Sequence, residues 1–159
     1  MGYFTKPDGV LFAAEVAPLN NERIQACLAS HDWQYRIDVD GDIGGWWDGH
    51  WFYFFIRGLD REILSVHSRW NRDLPKSALE NLIHHVNEWN YDRLWPKLAA
   101  RCPKDNAIVA ASFGVNYPHG LTDAQLDEHV RCAIATSLEA FAWLDAFYPA
   151  EAAAARQAE

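Results

Sequence analysis

Between Tyr35 and Trp70 apolar and polar residues alternate in short runs punctuated by Gly and Asp, the pattern of strands joined by turns. Tyr35, Ile37 and Val39 fall on one side of the first run, and Arg36, Asp38 and Asp40 on the other. A period of two buries one set and wets the other. Asp40-Gly41-Asp42 and Gly44-Gly45 predict a bend or bulge in this first strand rather than its end. Asp48-Gly49 suits the two central positions of a type I′ hairpin turn, which need positive φ. His50 to Ile56 is almost wholly aromatic or aliphatic and predicts a central strand covered on both faces. After a reversal at Gly58-Leu59-Asp60-Arg61, Ile63 to Trp70 sets Leu64, Val66 and Trp70 against His67 and Arg69.

Elsewhere the period lengthens to that of helices. Asn20 or Asn21 is a good N-cap, because its side chain can accept from the orphan amides of a first turn. Leu19, Ile24, Cys27, Leu28 and His31 then form an apolar stripe that predicts a helix to about Ser30. Pro75 stops the third strand and precedes a second helix over about Lys76 to Tyr91, with Leu79, Leu82, Ile83, Val86 and Trp89 or Asn90 on one face. Trp95-Pro96 ends helical geometry, since the residue before proline avoids it. Leu94 to Cys102 reads as a fourth strand and Ala107 to Tyr117 as a fifth. Thr122-Asp-Ala-Gln125 is a capping box that opens a third helix, striped by Leu126, Val130, Ala133, Ile134, Ser137, Phe141, Leu144 and Tyr148 and ended at Pro149.

The expected order is α-β-β-β-α-β-β-α. Strands joined by short turns imply an α+β fold, a five-stranded antiparallel sheet with helices on one face. Residues 1–18 form an N-terminal arm in which Val10 to Val16 could add an edge strand, 19–149 a single domain, and 150–159 an Ala-rich tail expected to fray.

Composition narrows the function classes. The formal net charge is −8, and no run of Lys or Arg occurs, which counts against nucleic acid or an anionic membrane as partner. No stretch approaches the ~20 apolar residues of a membrane span, and the N-terminal residues lack a secretory signal pattern. Cys27, Cys102 and Cys132 are odd in number and far apart, which suits a reducing cytoplasm.

Several motifs together resemble one family. They are Asn21-Glu-Arg-Ile24, Asp38-Val-Asp-Gly-Asp42 with Trp47, Gly58, Trp70-Asn-Arg72, Asn87-Glu-Trp-Asn90, Trp95-Pro-Lys97, and the helix from Leu121 to Pro149. In this order and spacing, over about Leu19 to Pro149, the chain resembles the YbjN-domain family, labelled as bacterial sensory transduction regulators. The resemblance implies a fold similar to type III secretion chaperones, which are small, acidic, frequently dimeric α+β proteins that hold partner polypeptides. The family has no agreed catalytic residues, so the resemblance transfers none.

The residues that could carry chemistry have plainer readings. Asp38-x-Asp40-Gly41-Asp42 offers three carboxylates to a hard cation, but it breaks the EF-hand pattern and reads as a wet strand face entering an Asp-Gly turn. His84 and His85 are adjacent and diverge by ~100° on a helix. His50 and His67 read as polar tips on apolar bodies. Ser112 lacks the preceding glycine of a nucleophile elbow, and Gly44-Gly45 is not followed by the Lys-Ser/Thr of a phosphate loop. No catalytic residue, metal or cofactor is therefore expected.

The aromatic residues change the picture. Eight Trp occur in 159 residues. Trp46 and Trp47 are consecutive in a strand and must face opposite sides. We take Trp46, Trp47, Trp51, Trp70, Trp143 and Phe147 as the candidate interaction surface. The leading expectation is a non-enzymatic, homodimeric, cytoplasmic module that engages a polypeptide. The alternatives are a small-molecule sensor with a pocket floored by Ala107 to Gly114, and a hydrolase using Asp38, Asp40 or Asp42 with His50 or His67.

Overall fold

Side chains that point alternately to the two sides of each strand give a sheet with one inward and one open face. The computed structural model describes residues 15–157 except Asp73. It contains β1 (Tyr35–Ile37), β2 (Ile43–Trp47), β3 (His50–Arg57), β4 (Ile63–Arg69), β5 (Leu74–Pro75), β6 (Lys97–Arg101) and β7 (Asn106–Asn116). All pairings are antiparallel: β1 to β4 form a meander, β4 pairs β7, and β5 and β6 also pair β7. The helices are α1 (Asn21–Ser30), α2 (Leu79–Asp92) after a single 3-10 turn, α3 (Asp123–Asp145) and α4 (Pro149–Gln157).

The α+β class holds, but among the described residues the sheet has seven strands where the sequence predicts five. The first extra strand comes from the Asp-Gly cluster. Asp38 Oδ1 accepts from the amides of Asp40 and Asp42 at 3.0 and 2.9 Å, and Gly41 sits at φ +85°. The chain therefore reverses fully where only a bend is expected. Gly44 and Gly45, also expected to loosen the backbone, instead lie inside β2 and pair with Tyr53 and Phe52. The second extra strand is the short Leu74–Pro75, which pairs with Ala107 and Asn106 ahead of the helix.

β3 also differs from expectation. His50, Phe52 and Phe54 are buried, but Trp51, Tyr53 and Phe55 are only partly covered. Its apolar content comes from rings that shield each other on the open face, not from a second layer of helices.

Ile24 and Leu28 of α1, Leu82, Val86 and Trp89 of α2, and Leu126, Val130, Ile134 and Phe141 of α3 share one core with Ile43, Phe52, Phe54, Leu64, Val66 and Phe113 from the sheet. The inward side of β7, with Ala107, Val109 and Ala111, belongs to the same core, so this part of the expected pocket floor is filled. The Ala-rich tail carries α4, which buries Ala152. The Val10 to Val16 edge element falls mostly outside the described residues. Within them, Ala17 bridges Leu121, and Arg23 binds the carbonyls of Ala17, Pro18 and Leu121 and the Asp123 carboxylate.

The expected caps are in place. Asn20 accepts from the Arg23 amide, and Thr122 and Gln125 bond reciprocally to each other's amides at 2.9 and 3.1 Å. Replacing Thr122 with Ala leaves an orphan amide at the start of α3. It is expected to lower stability by about 1 kcal/mol, read as a shift in urea midpoint at unchanged slope.

Candidate functional site

The register of the sheet assembles the open face row by row. One row runs Arg36, Gly44, Tyr53, His67, Ser112, Lys97. The next runs Trp46, Trp51, Arg69, Ala110, Ala99. Phe55, Ser65 and Gly114 form a third, and Arg57, Ile63 and Asn116 a fourth. The large aromatic rings of this face lie on β2 and β3, and small residues predominate where β7 crosses it.

The aromatic part is a connected ladder. Trp46 meets Trp51 at 4.8 Å between ring centroids, Trp51 meets Tyr53 at 5.2 Å, and Tyr53 stacks on Phe55 at 5.5 Å with planes 11° apart. The Arg57 guanidinium lies 4.4 Å above the Phe55 ring. Gly44 makes room for the ladder, since a Cβ there would come within 2.9 Å of the Trp51 ring. Trp46 is 57% exposed. Two hollows flank it. One of about 360 Å³ is lined by Trp46, Trp51, Arg69 and Asn71, and one of about 330 Å³ by Gln34, Tyr35, Arg36, Gly45, Trp46 and Trp51.

The charge on this face opposes that of the whole chain. Among the described residues the strands contain no Asp or Glu; their charged residues are Arg36, Arg57, Arg69, Lys97 and Arg101. All five lie on the open face by register, with Arg101 opposite Ile108. An acidic protein thus carries a cationic, aromatic sheet surface. Partial burial and then the Arg57 guanidinium lower the pKa of His67.

The sequence-predicted surface is therefore divided. Trp46 and Trp51 stand on the open face. Trp47 faces inward, edge-on to Phe52 and Phe54 and to Trp33. Trp70 is fully buried, and its Nε1 donates to Asp145 at 2.8 Å, so it leaves the surface set. Trp143 and Phe147 lie on the helical side with Trp89 and His85. Tyr53, Phe55, Arg36, Arg57, Lys97 and Arg101 are the members that sequence reasoning passes over. The signal that would find them is strands in which every charge is positive.

The residues considered for hydrolysis do not converge. Asp38, Asp40 and Asp42 lie in the β1–β2 turn, His50 points inward and is 4% exposed, and His67 lies on the open face. A different group does converge on the helical side, where Cys27, His31 and Asp127 approach across α1 and α3. Burial, and next the Asp127 charge, push the Cys27 thiol up to about 11, which keeps it protonated at neutral pH and unsuited to attack as a nucleophile.

Among the described residues no helix is long and apolar enough to cross a membrane. Residues 20–146 match the family model YbjN, described as "Putative bacterial sensory transduction regulator". The chain is also similar to the crystal structure of YbjN from E. coli, described as "a putative transcription regulator". That likeness has a TM-score of 0.72 at 11% identity and covers 84% of this chain and 97% of the other, so it speaks to the fold alone. No curated protein matches this chain in sequence.

Proposed function

This chain belongs to the YbjN family, and from that premise we propose that it is a non-enzymatic interaction module that binds an acidic, partly apolar polypeptide segment on the open face of its sheet. The observation that carries this reading is the conjunction of the Trp46–Trp51–Tyr53–Phe55 ladder with Arg36, Arg57, Lys97 and Arg101 on strands that hold no carboxylate. An apolar side chain fits the hollows beside Trp46, and carboxylates pair with the surrounding guanidinium groups.

Single-stranded nucleic acid suits the same face less well. Base stacking needs free ring faces, and here Phe55 has Tyr53 on one side along the strand and Arg57 on the other. The net charge of −8 also repels a polyanion at longer range. A second copy of the chain would set like charges against like if it docked face to face. The homodimer implied by the family likeness is therefore assigned to another surface. Three free thiols, Cys27, Cys102 and Cys132, suit a cytoplasmic setting for both interactions.

The test is tryptophan fluorescence titration with three probes: a short synthetic peptide alternating Glu with Leu, its Lys-for-Glu counterpart, and a single-stranded oligonucleotide. The acidic peptide is expected to bind, more weakly as salt rises. Trp51→Ala is expected to weaken it roughly thirtyfold, the loss of a hot spot of about 2 kcal/mol; Arg57→Glu is expected to weaken it in the same direction. Equal binding of the Lys peptide, or preference for the oligonucleotide, overturns the reading. Sedimentation over a concentration series tests the dimer separately, and a monomer throughout removes the dimer while leaving the peptide site standing.

A further inference from the structure

The group formed by Cys27, His31 and Asp127 lies on the helix layer and owes nothing to the open face. α1 places Cys27 and His31 four residues apart, one turn above the other on the same side. α3 packs against α1 and brings Asp127 to them. Each residue offers one donor atom, and the three atoms lie within 4.8 Å of one another. Around a tetrahedral zinc ion, with bonds of ~2.0–2.3 Å, neighbouring donors stand ~3.3–3.8 Å apart. The three side chains therefore need only about an ångström of adjustment, by that geometry, to share one ion.

The donors converge on a single oxygen. His31 Nε2 bonds Asp127 Oδ1, and the Cys27 thiol approaches the same oxygen at 3.8 Å. We propose that these three residues form a binding site for a divalent transition-metal ion of the zinc class, bridging α1 and α3.

The surroundings brace the donors as outer contacts brace metal ligands. Trp33 stacks on the His31 ring at 4.4 Å and is itself held edge-on by Trp47. Arg131 Nε pairs with the other carboxylate oxygen of Asp127 at 3.1 Å, which fixes the plane of that group. On binding, the ion displaces the Cys27 proton to solvent, and the resulting thiolate together with the Asp127 carboxylate neutralises a divalent charge. Sulfur and imidazole nitrogen select zinc or its neighbours over calcium and magnesium, which prefer oxygen alone. Three protein donors leave a fourth position open. The hollow of about 610 Å³ lined by Cys27, Asp127, Arg23, Asp123 and Ser30 gives water or a small ligand access to it.

The experiment uses the full chain with zinc alone and with cobalt(II) alone. One equivalent of zinc is expected to be held in competition with a chromophoric chelator, and cobalt is expected to give a thiolate-to-metal charge-transfer band. Cys27→Ser should abolish the band. His31→Ala and Asp127→Asn should weaken zinc binding by roughly a hundredfold, while a His84→Ala/His85→Ala variant should bind as the parent does. Zinc should also raise the melting temperature of the parent, because an ion held only by the folded chain stabilises it. A parent protein with no charge-transfer band, or zinc uptake unchanged by Cys27→Ser, overturns the proposal. The first of these readouts requires no substitution, so a variant that fails to fold does not blur the outcome.

Discussion

Replacing Asp145 with Ala is expected to cost about 3–5 kcal/mol of folding free energy, the penalty for stranding a buried charge. Arg72 is 5% exposed. Its Nε and Nη2 donate to the two oxygens of Asp145 at 3.0 and 2.8 Å, and its Nη1 donates to the Asn71 carbonyl at 2.9 Å. Asp145 Oδ1 also accepts from the indole of the buried Trp70. One carboxylate at the end of α3 thus satisfies a guanidinium and an indole in the segment that leaves β4. Its removal leaves the buried indole and guanidinium donors without their acceptor. Arg72→Leu combined with Asp145→Ala removes the stranded charge along with its partner. This double variant is expected to recover most of the loss, as buried pairs replaced by apolar groups commonly do. Urea unfolding of the two variants measures the difference. A loss below about 1 kcal/mol in Asp145→Ala would show that water enters and solvates the guanidinium once the carboxylate is gone.

Most of the family-like motifs named from the sequence turn out to be joints of this frame. Trp70 and Arg72 grip Asp145. Arg23 ties the start of α1 to Leu121 and Asp123. Trp89 Nε1 donates to the Pro96 carbonyl at 3.0 Å, and Asn90 brackets Leu98 with two hydrogen bonds of 2.9 Å. Each of these residues joins one element to another. That explains why the likeness gives the fold and says little about activity. The open face is supplied by strand residues outside those motifs, apart from Lys97.

Helices were legible because their stripes and caps are local. Asn20 and Thr122 bond within four residues, and the expected bounds of α1 and the start of α3 agree closely with those found; α3 stops at Asp145, short of the expected Pro149, which instead opens α4. The strand count was less legible for a local reason and a distant one. Asp38 could have ended a bend or closed a turn, and the bonds it makes to Asp40 and Asp42 decide for the turn. Leu74–Pro75 becomes a strand only because β7 lies beside it. The sites were harder still. Arg36 and Lys97 are sixty residues apart in sequence, yet they end one row of the sheet. Cys27 and His31 are four residues apart, but Asp127 lies a hundred residues from Cys27, so the third donor has no sequence spacing to betray it. Asp38 to Asp42 and His84-His85 stand out in the sequence as metal candidates only because they are neighbours in the chain.

A second large effect is a loss of stability between about pH 6.5 and pH 4, with His50 as its source. The ring is buried, packs 4.6 Å from Phe141, and accepts at Nδ1 from the Asn71 amide at 3.0 Å. An accepting Nδ1 carries no proton, so the folded protein holds His50 neutral. Burial, and next the Arg72 guanidinium, lower its pKa from 6.5 to about 4. In the unfolded chain the ring takes up its proton near pH 6.5, so over this window the unfolded state binds more protons. Stability is then full above about 6.5, falls as pH drops toward about 4, and levels off below, for a total of about 3 kcal/mol. His50→Gln is expected to flatten this part of the profile, whatever it costs at neutral pH. The measurement is urea stability of both proteins across the window, and parallel curves would remove His50 as the source. The Asp145 charge opposes the lowering, so Asp145→Ala should push the His50 pKa down further. In that variant stability should go on falling to lower pH than it does in the parent.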